Sequence, residues 1–372
     1  MEKGVNDLIE ISRFYGNNPE YIIAGGGNTS FKNDEKLWIK ASGSSLATIG
    51  EDGFVCLSRS ELKKISEKTY SENSSEREAE VKADLHRAIL YPENKRPSVE
   101  TSLHEIIGFP FVVHTHPTLV NALMCSNDAQ QTVQKLFGSE VLFVEYTDPG
   151  YILFKKVEAE IIQFRKEQGK EPSVIFLQNH GVFVGANSID EIKTIYGSIE
   201  KKLRSCIASP LPATDELATE KPAGQFAALL EQSFGVNPSG VMFSANALVQ
   251  LFVENSETFA KVNKPFTPDD IVYCKSNYAF SSSHPEELKR VVLEFKTRCG
   301  YLPKVVAIQG EGLLAVEENP KSAQTVMEVF QNMMKVSFYS ENFGGPHFMT
   351  QPQIDFIDNW EVENYRRQIA KQ

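Results

Sequence analysis

The sequence predicts an α/β chain, with a three-layer α/β/α domain followed by a smaller α/β domain. From residue 1 to about 206, short apolar runs alternate with stretches of helical period, the pattern of helices layered on a sheet. Between Ser209 and Gly224 the segment SPLPATDELATEKPAG loses that period and gathers three prolines, which is linker chemistry. Beyond it the alternation resumes, and 372 residues are more than one hydrophobic core usually serves. The expected divisions are 1–208 for the first domain, 209–224 for the linker and 225–372 for an accessory second domain.

Taken in order, MEKGVNDLIEISRFYG opens the chain as an acidic amphipathic helix. Apolar runs at Leu37–Lys40, Phe54–Leu57, Phe111–Thr115, Val141–Val144, Val174–Leu177 and Val182–Val184 have the length and composition of strands. Glu76–Leu90 and Ser188–Cys206 have helical period. Pro117, directly after a strand, suits a first helical turn, and Ser188 with Glu191 three residues on reads as a capping box. In the second domain, β-like runs at Ile271–Lys275, Lys304–Ile308 and Leu313–Val316 alternate with helical stretches at Pro285–Cys299 and Asn319–Tyr339. The sequence shows no internal repeat and no low-complexity segment.

Composition excludes several function classes. Thirty-eight Lys and Arg against 49 Asp and Glu give a net charge of −11, which argues against a nucleic-acid partner. The five cysteines are scattered without a Cys-x-x-Cys pair, so neither a disulfide frame nor a thiolate metal site is expected. The first residues lack a basic segment followed by an apolar one, and no run of about 18 apolar residues occurs. These features lead to the expectation of a cytoplasmic protein without a membrane partner.

The strongest chemical signal is Val-Val-His114-Thr-His116-Pro, because residues i and i+2 of a strand project to one face and can present two imidazoles to one ion. A third histidine, in Leu-Gln-Asn-His180-Gly, also ends an apolar strand. Singly, each is best explained as a strand-end histidine bonded to backbone. Together, at the strand ends where open α/β sheets place ligands, they form a trio of catalytic count, leaving one zinc position for substrate. The other histidines, His86, His104, His284 and His347, lie in helical or loop context and are read as structural.

Glu100 opens a helix leading into the His114 strand. It serves as a dipole partner there unless the fold brings it to the metal, where it becomes a general base. Gly25-Gly26-Gly27-Asn28-Thr29-Ser30 and Ala41-Ser42-Gly43-Ser44 bracket one strand, and their exposed amides and hydroxyls suit a phosphate. The plain alternative is two tight turns.

Over most of residues 5 to 206 these motifs resemble the class II aldolase and adducin head-domain family. Gly27-Asn28-Thr29-Ser30 and Ala41-Ser42-Gly43-Ser44 are similar to its phosphate turns, Pro97-Ser98-Val99-Glu100 to its acid/base turn, and His114-Thr-His116-Pro with Asn179-His180-Gly to its zinc ligands. The resemblance implies Zn²⁺ on His114, His116 and His180, phosphate contacts from Asn28, Thr29, Ser42, Gly43 and Ser98, and Glu100 as the catalytic residue. The implied reaction is an aldehyde lyase's: cleavage of a ketose 1-phosphate to dihydroxyacetone phosphate and an aldehyde through a zinc-stabilised enediolate. The family also contains metal-dependent pentulose-phosphate 4-epimerases, a sugar-phosphate dehydratase and non-catalytic adducin-like assembly modules, and its members commonly form homo-oligomers such as tetramers. Where sugar-phosphate aldolases commonly carry two serines before the glutamate, this chain has Ser98-Val99, one hydroxyl fewer.

With Pro268-Asp-Asp-Ile-Val-Tyr and Val305-Val-Ala-Ile-Gln-Gly310-Glu-Gly312 following, the arrangement resembles the aldolase part of bifunctional rhamnulose-phosphate aldolase/dehydrogenase proteins. The chain stops before a dehydrogenase domain, so that activity is not expected. Gly310-x-Gly312-x-x-Ala315 precedes an apolar run rather than a helix, the wrong context for a dinucleotide. Tyr151 is read as a packing residue.

Overall fold

Apolar runs bounded by Gly, Pro and Asn turns assemble the strands, and amphipathic stretches between them cover the two faces of each sheet. The computed structural model describes residues 3–215 and 220–360. It divides into two units, Met1–Met124 with Asp128–Cys206, and Cys125–Asn127 with Ile207–Gln372.

The first unit runs α1 (Lys3–Gly16), β1 (Asn28–Lys32), β2 (Lys36–Lys40), β3 (Phe54–Ser58), α2 (Arg59–Glu67), α3 (Ser74–Arg87), β4 (Ile89–Tyr91), α4 (Thr101–Ile106), β5 (Phe111–Thr115), α5 (Thr118–Met124), α6 (Ala129–Phe137), β6 (Leu142–Val144), α7 (Tyr151–Gln168), β7 (Val174–Leu177), β8 (Gly181–Ala186) and α8 (Ile189–Arg204). Its eight-stranded sheet has the order β4-β3-β2-β1-β5-β8-β7-β6. All neighbouring pairs are antiparallel except β6 and β7.

Side-chain alternation decides what each face carries. On β5, Val112 packs with Leu103 of α4 and with Leu153, Val157 and Ile161 of α7, and Phe183 of β8 joins the same core. On the opposite face Thr115 donates to the Tyr196 hydroxyl of α8 at 2.7 Å, and Tyr196 packs against Tyr15 of α1. Helices therefore cover both faces, giving three layers. Tyr151 packs against apolar residues, as read from the sequence, and its hydroxyl donates to Lys68 O at 3.2 Å.

In the first unit, three elements depart from the sequence reading. The glycine-rich segment continues into β1, which lies inside the sheet between β2 and β5. The helix expected to reach Leu90 ends at Arg87, because Ile89–Tyr91 pairs with β3 instead. Ser188 caps α8 by accepting from the Glu191 N–H at 3.3 Å, but the Glu191 carboxylate accepts from Asn187 N–H, one residue earlier than a capping box requires.

The second unit runs α9 (Glu220–Phe234), β9 (Val241–Ser244), α10 (Ala247–Val253), α11 (Ser256–Phe259), α12 (Pro268–Cys274), β10 (Ala279–Ser281), α13 (Pro285–Cys299), β11 (Val305–Ile308), β12 (Gly312–Val316), α14 (Pro320–Ser340) and α15 (Gln351–Asn359). Its smaller sheet has the order β10-β11-β12-β9. The run expected as a strand at Ile271–Lys275 falls instead in helix α12. Pro268 occupies the first turn, Thr267 Oγ1 accepts from Asp270 N–H, and Asp270 Oδ2 accepts from Thr267 N–H at 2.9 Å; these caps outweigh the β-branched content of the run. Within the segment expected as linker, α9 begins at Glu220, and residues 216–219 lie outside the described residues. Among the described residues no helix is long and apolar enough to cross a membrane.

Candidate metal centre

Three loops at one end of the first sheet bring the site together. β5 pairs with β8 so that His114 lies opposite Phe183, and with β1 so that Asn28 lies opposite His114. His116 follows on the same face as His114, and the β7–β8 turn supplies His180. One ring nitrogen from each of the three lies within 4.8 Å of the others, which is the spacing of donors around a single ion. His114 and His116 approach with Nε2 atoms 2.9 Å apart.

His114 is fully buried, and its Nδ1 lies 3.0 Å from Val182 O. With the proton on Nδ1 donated to that carbonyl, the Nε2 lone pair faces the other two rings. Burial, the largest influence, holds His114 well below the ordinary imidazole range, so the ring is neutral, the form that binds a metal. Its ring stacks on Phe183 at 4.0 Å between centroids.

The β7–β8 turn is tight for a steric reason. Asn179 is left-handed, at φ 52°, and Gly181 has no room for a side chain: a Cβ would stand 2.6 Å from Thr115 O and from the His116 ring.

Glu100 is drawn into this trio. Its Oε1 lies 3.3 Å from His114 Nε2 and 3.4 Å from His180 Nε2, while Oε2 accepts from Asn28 Nδ2. Burial, the largest influence, would raise the carboxyl, but the imidazole cluster, whose His180 ring hydrogen-bonds it and in which any shared proton stands beside it, more than reverses this and leaves it below the usual carboxylate range. The group is thus an ionised, largely enclosed carboxylate beside three imidazoles. The Ser98 hydroxyl accepts from its backbone N–H at 3.2 Å, and Thr101 Oγ1 donates to Ser98 O at 2.6 Å, fixing the turn that presents it.

The residues read as phosphate contacts divide. Asn28 reaches Glu100, as described. The Ser42–Gly43 turn lies against the segment before Glu100: Ala41 bridges to Pro97, Ser42 N–H donates to Arg96 O at 2.8 Å, and Gly43 has φ 86°. The amide of Ser42 is therefore engaged, and its hydroxyl is the group it has to offer an anion. Thr29 does not reach the site. Alternation along β1 turns it to the α1 face, where it is fully buried with its hydroxyl 2.7 Å from Ser12 Oγ.

Other residues support the site from behind, in roles that the sequence motifs do not announce. Lys40 Nζ donates to Gly25 O and Gly27 O, both at 2.9 Å, and so pins the glycine loop. Ser30 Oγ meets His104 Nδ1 at 2.7 Å, and burial pushes His104 down to about 3, keeping it neutral. On the far face, the Tyr196 hydroxyl accepts from Thr115 Oγ1 and donates to Val113 O at 3.1 Å, holding the His114–His116 segment from behind.

The chain is similar to known proteins over its first unit. A Bacillus subtilis (strain 168) protein described as "Uncharacterized oxidoreductase YuxG" is 26% identical over 191 residues, covering 49% of this chain and 26% of that protein, so the match spans about a quarter of that relative's length. Among solved structures, the N-terminal class II aldolase domain of a Thermoplasma acidophilum protein is 23% identical, with a TM-score of 0.47 over 55% of this chain and 94% of that one. A sugar-phosphate aldolase from Thermotoga maritima is 16% identical, with a TM-score of 0.40 over 56% of this chain and 98% of that one. Residues 6–206, more than half the chain and containing every residue of the site, match the class II aldolase and adducin N-terminal domain, and the chain belongs to that family.

Proposed function

We propose that the chain is a metal-dependent aldehyde lyase that cleaves a ketose 1-phosphate to dihydroxyacetone phosphate and an aldehyde. The observation that carries this is the meeting of three imidazoles with one ionised carboxylate, Glu100, that none of the backbone elements needs. The donor set fits Zn²⁺: three histidines, one of them locked in the neutral tautomer with Nε2 inward. Bound there, the ion supplies a Lewis acid for the carbonyl and hydroxyl oxygens of the substrate.

The remaining work falls to side chains. When the carbon–carbon bond breaks, the hydroxyl next to it on the aldehyde side gives up its proton and becomes the aldehyde carbonyl. The bond's electron pair goes to the dihydroxyacetone phosphate half, whose carbon then takes a proton. Glu100, ionised in the resting site, is the group placed to take the hydroxyl proton and return it to that carbon, with Asn28 orienting its other oxygen. The hydroxyls of Ser42 and Ser98 and the turn at Gly43 are the phosphate contacts in this reading. The same reading takes the protein, by resemblance to its family, as a homo-oligomer.

The test is proton exchange at the hydroxymethyl carbon of dihydroxyacetone phosphate in D₂O, followed by NMR with and without a chelator. Enzyme-dependent exchange that the chelator stops is expected. Absence of exchange from protein carrying zinc rejects the lyase in favour of a pentulose-phosphate 4-epimerase or a sugar-phosphate dehydratase on the same ligands. Absence of both exchange and bound metal favours an adducin-like assembly module.

A further inference from the structure

We propose that the second unit is an internal copy of the half of the first unit that carries the metal ligands, and that it has lost all three of them. The sheet order β5-β8-β7-β6 recurs as β9-β12-β11-β10. In both, the first three strands are antiparallel neighbours and the last pair is parallel. The crossover helices α7 and α13 end on left-handed glycines, Gly169 and Gly300. The hairpins β7–β8 and β11–β12 then lead into the long helices α8 and α14, whose caps, Ser188 and Asn319, each accept from the amide three residues on.

The match extends to single hydrogen bonds. Gln178 N–H donates to Val144 O of β6, and Gln309 N–H to Ser281 O of β10. Asn179 N–H donates to Met124 O at the end of α5, and Gly310 N–H to Val253 O at the end of α10. His180 N–H closes the turn on Leu177 O, and Glu311 N–H on Ile308 O. Asn179 and Gly310 are both left-handed, at φ 52° and 69°. A Cβ on Gly181 would strike Thr115 O, and a Cβ on Gly312 would strike Ser244 O. At one constant spacing, Gly169, Pro172, Val174, Gln178 and Gly181 are repeated as Gly300, Pro303, Val305, Gln309 and Gly312. The sequence reading found no repeat; the structure overturns it.

This correspondence of strands, turns and hydrogen bonds assigns the counterparts of the ligands. Phe183 pairs with His114, and its equivalent Leu314 pairs with Phe243. Two residues on from each, His116 corresponds to Ala245, and the turn residue His180 corresponds to Glu311. A phenyl ring, a methyl group and a carboxylate replace three imidazoles, a set with one metal donor where a site needs at least three. The glycine pair that resembled part of a nucleotide loop, Gly310 and Gly312, is the counterpart of the Asn179–His180–Gly181 turn and leads into a strand. The second unit keeps the frame of a metal centre without its chemistry, so among the described residues the one histidine cluster is that of the first unit.

The test counts metal in the full chain after loading with Co²⁺ and desalting, with the visible spectrum reporting coordination. In a His114→Ala/His116→Ala background the first site is removed, and no ion is expected to remain; about one tightly held ion per chain would overturn the claim that the second unit is silent. Adding Phe243→His, Ala245→His and Glu311→His to that background is expected to restore about one ion per chain with a tetrahedral cobalt spectrum. A chain with unchanged circular dichroism that binds no ion would overturn the equivalence of the frames. Because Ala245 is buried, Phe243→His with Glu311→His alone is the second variant. It is expected to bind Co²⁺ more weakly, with both new imidazole signals broadened by the ion, and broadening of neither would likewise overturn the equivalence. These variants read the second unit whether or not the wild-type first site holds metal, so their failure is distinct from failure of the lyase reading.

Discussion

Replacing Glu100 with glutamine separates a base from a ligand. The change keeps volume and an oxygen that can accept from Asn28 Nδ2, but it removes the charge that stands 3.3 Å from His114 Nε2 and 3.4 Å from His180 Nε2. If Glu100 is the proton carrier, the three imidazoles still hold the ion while the proton has nowhere to go. Loss of a positioned general base costs about 10²- to 10⁴-fold, or roughly 3–5.5 kcal/mol of barrier. The assay is deuterium incorporation into dihydroxyacetone phosphate at saturating zinc, run beside a metal count on the same sample. Glu100→Gln is expected to retain about one ion per chain and to lose exchange by that factor. Glu100→Asp, which withdraws the carboxylate by about one carbon–carbon bond, is expected to fall between the two. A Glu100→Gln protein that exchanges within tenfold of wild type while loaded would refute the base assignment. One that no longer binds zinc would refute it too, by making Glu100 a ligand.

Other consequences follow from the same geometry. His116→Ala is expected to weaken zinc binding by more than about 100-fold while leaving the thermal midpoint of the metal-free protein nearly unchanged, since the half-buried ring is not part of the core; calorimetry with and without chelator checks both. Thr29→Val removes a buried hydroxyl that bonds Ser12 and not the substrate, so chemical denaturation is expected to show a loss of about 1 kcal/mol with an unchanged KM for the phosphorylated substrate; a raised KM would return Thr29 to the phosphate site. Lys32 is buried, with Nζ donating to His104 O and, at 2.5 Å, to Ile107 O, and burial lowers it from 10.5 to about 7. The unfolded chain then binds more protons than the native one between about pH 7 and 10.5, so this residue makes stability rise with pH across that window, by an amount on the order of a few kcal/mol. Lys32→Met is expected to flatten the slope of unfolding free energy against pH there; an unaltered slope would show that Lys32 is charged in the native state.

What was legible in the sequence was whatever local chemistry announces. The β5 and β7 runs, with apolar residues bounded by Pro and Gly, read as strands at the right places, and the His-x-His spacing on a strand fixed two imidazoles to one face before any fold was known. What was not legible depended on a partner far along the chain. Thr29 sits in a phosphate-turn motif, but which way it points is set by the strand it joins, and β1 turns it to α1. Residues 271–275 have strand-like content, yet Thr267, Pro268 and Asp270 start a helix, because a cap satisfies amides that β propensity leaves open.

The repeat escaped the sequence for a related physical reason. A hairpin with a left-handed residue in its turn and a close backbone crossing demands few identities: a glycine at the crossing, Gly181 or Gly312, and at the left-handed position either Asn179 or Gly310, which tolerate the same dihedral. The frame is set by backbone hydrogen bonds that any residue can make, so its sequence can drift while its geometry holds. The metal centre has the opposite dependence, since it requires particular side chains and nothing in the frame enforces them. Among the described residues, a frame carried twice and an imidazole trio carried once are what those two requirements produce when only one copy is kept at chemistry, which explains why the ligand motifs of the first unit were conspicuous while the copy in the second unit was silent.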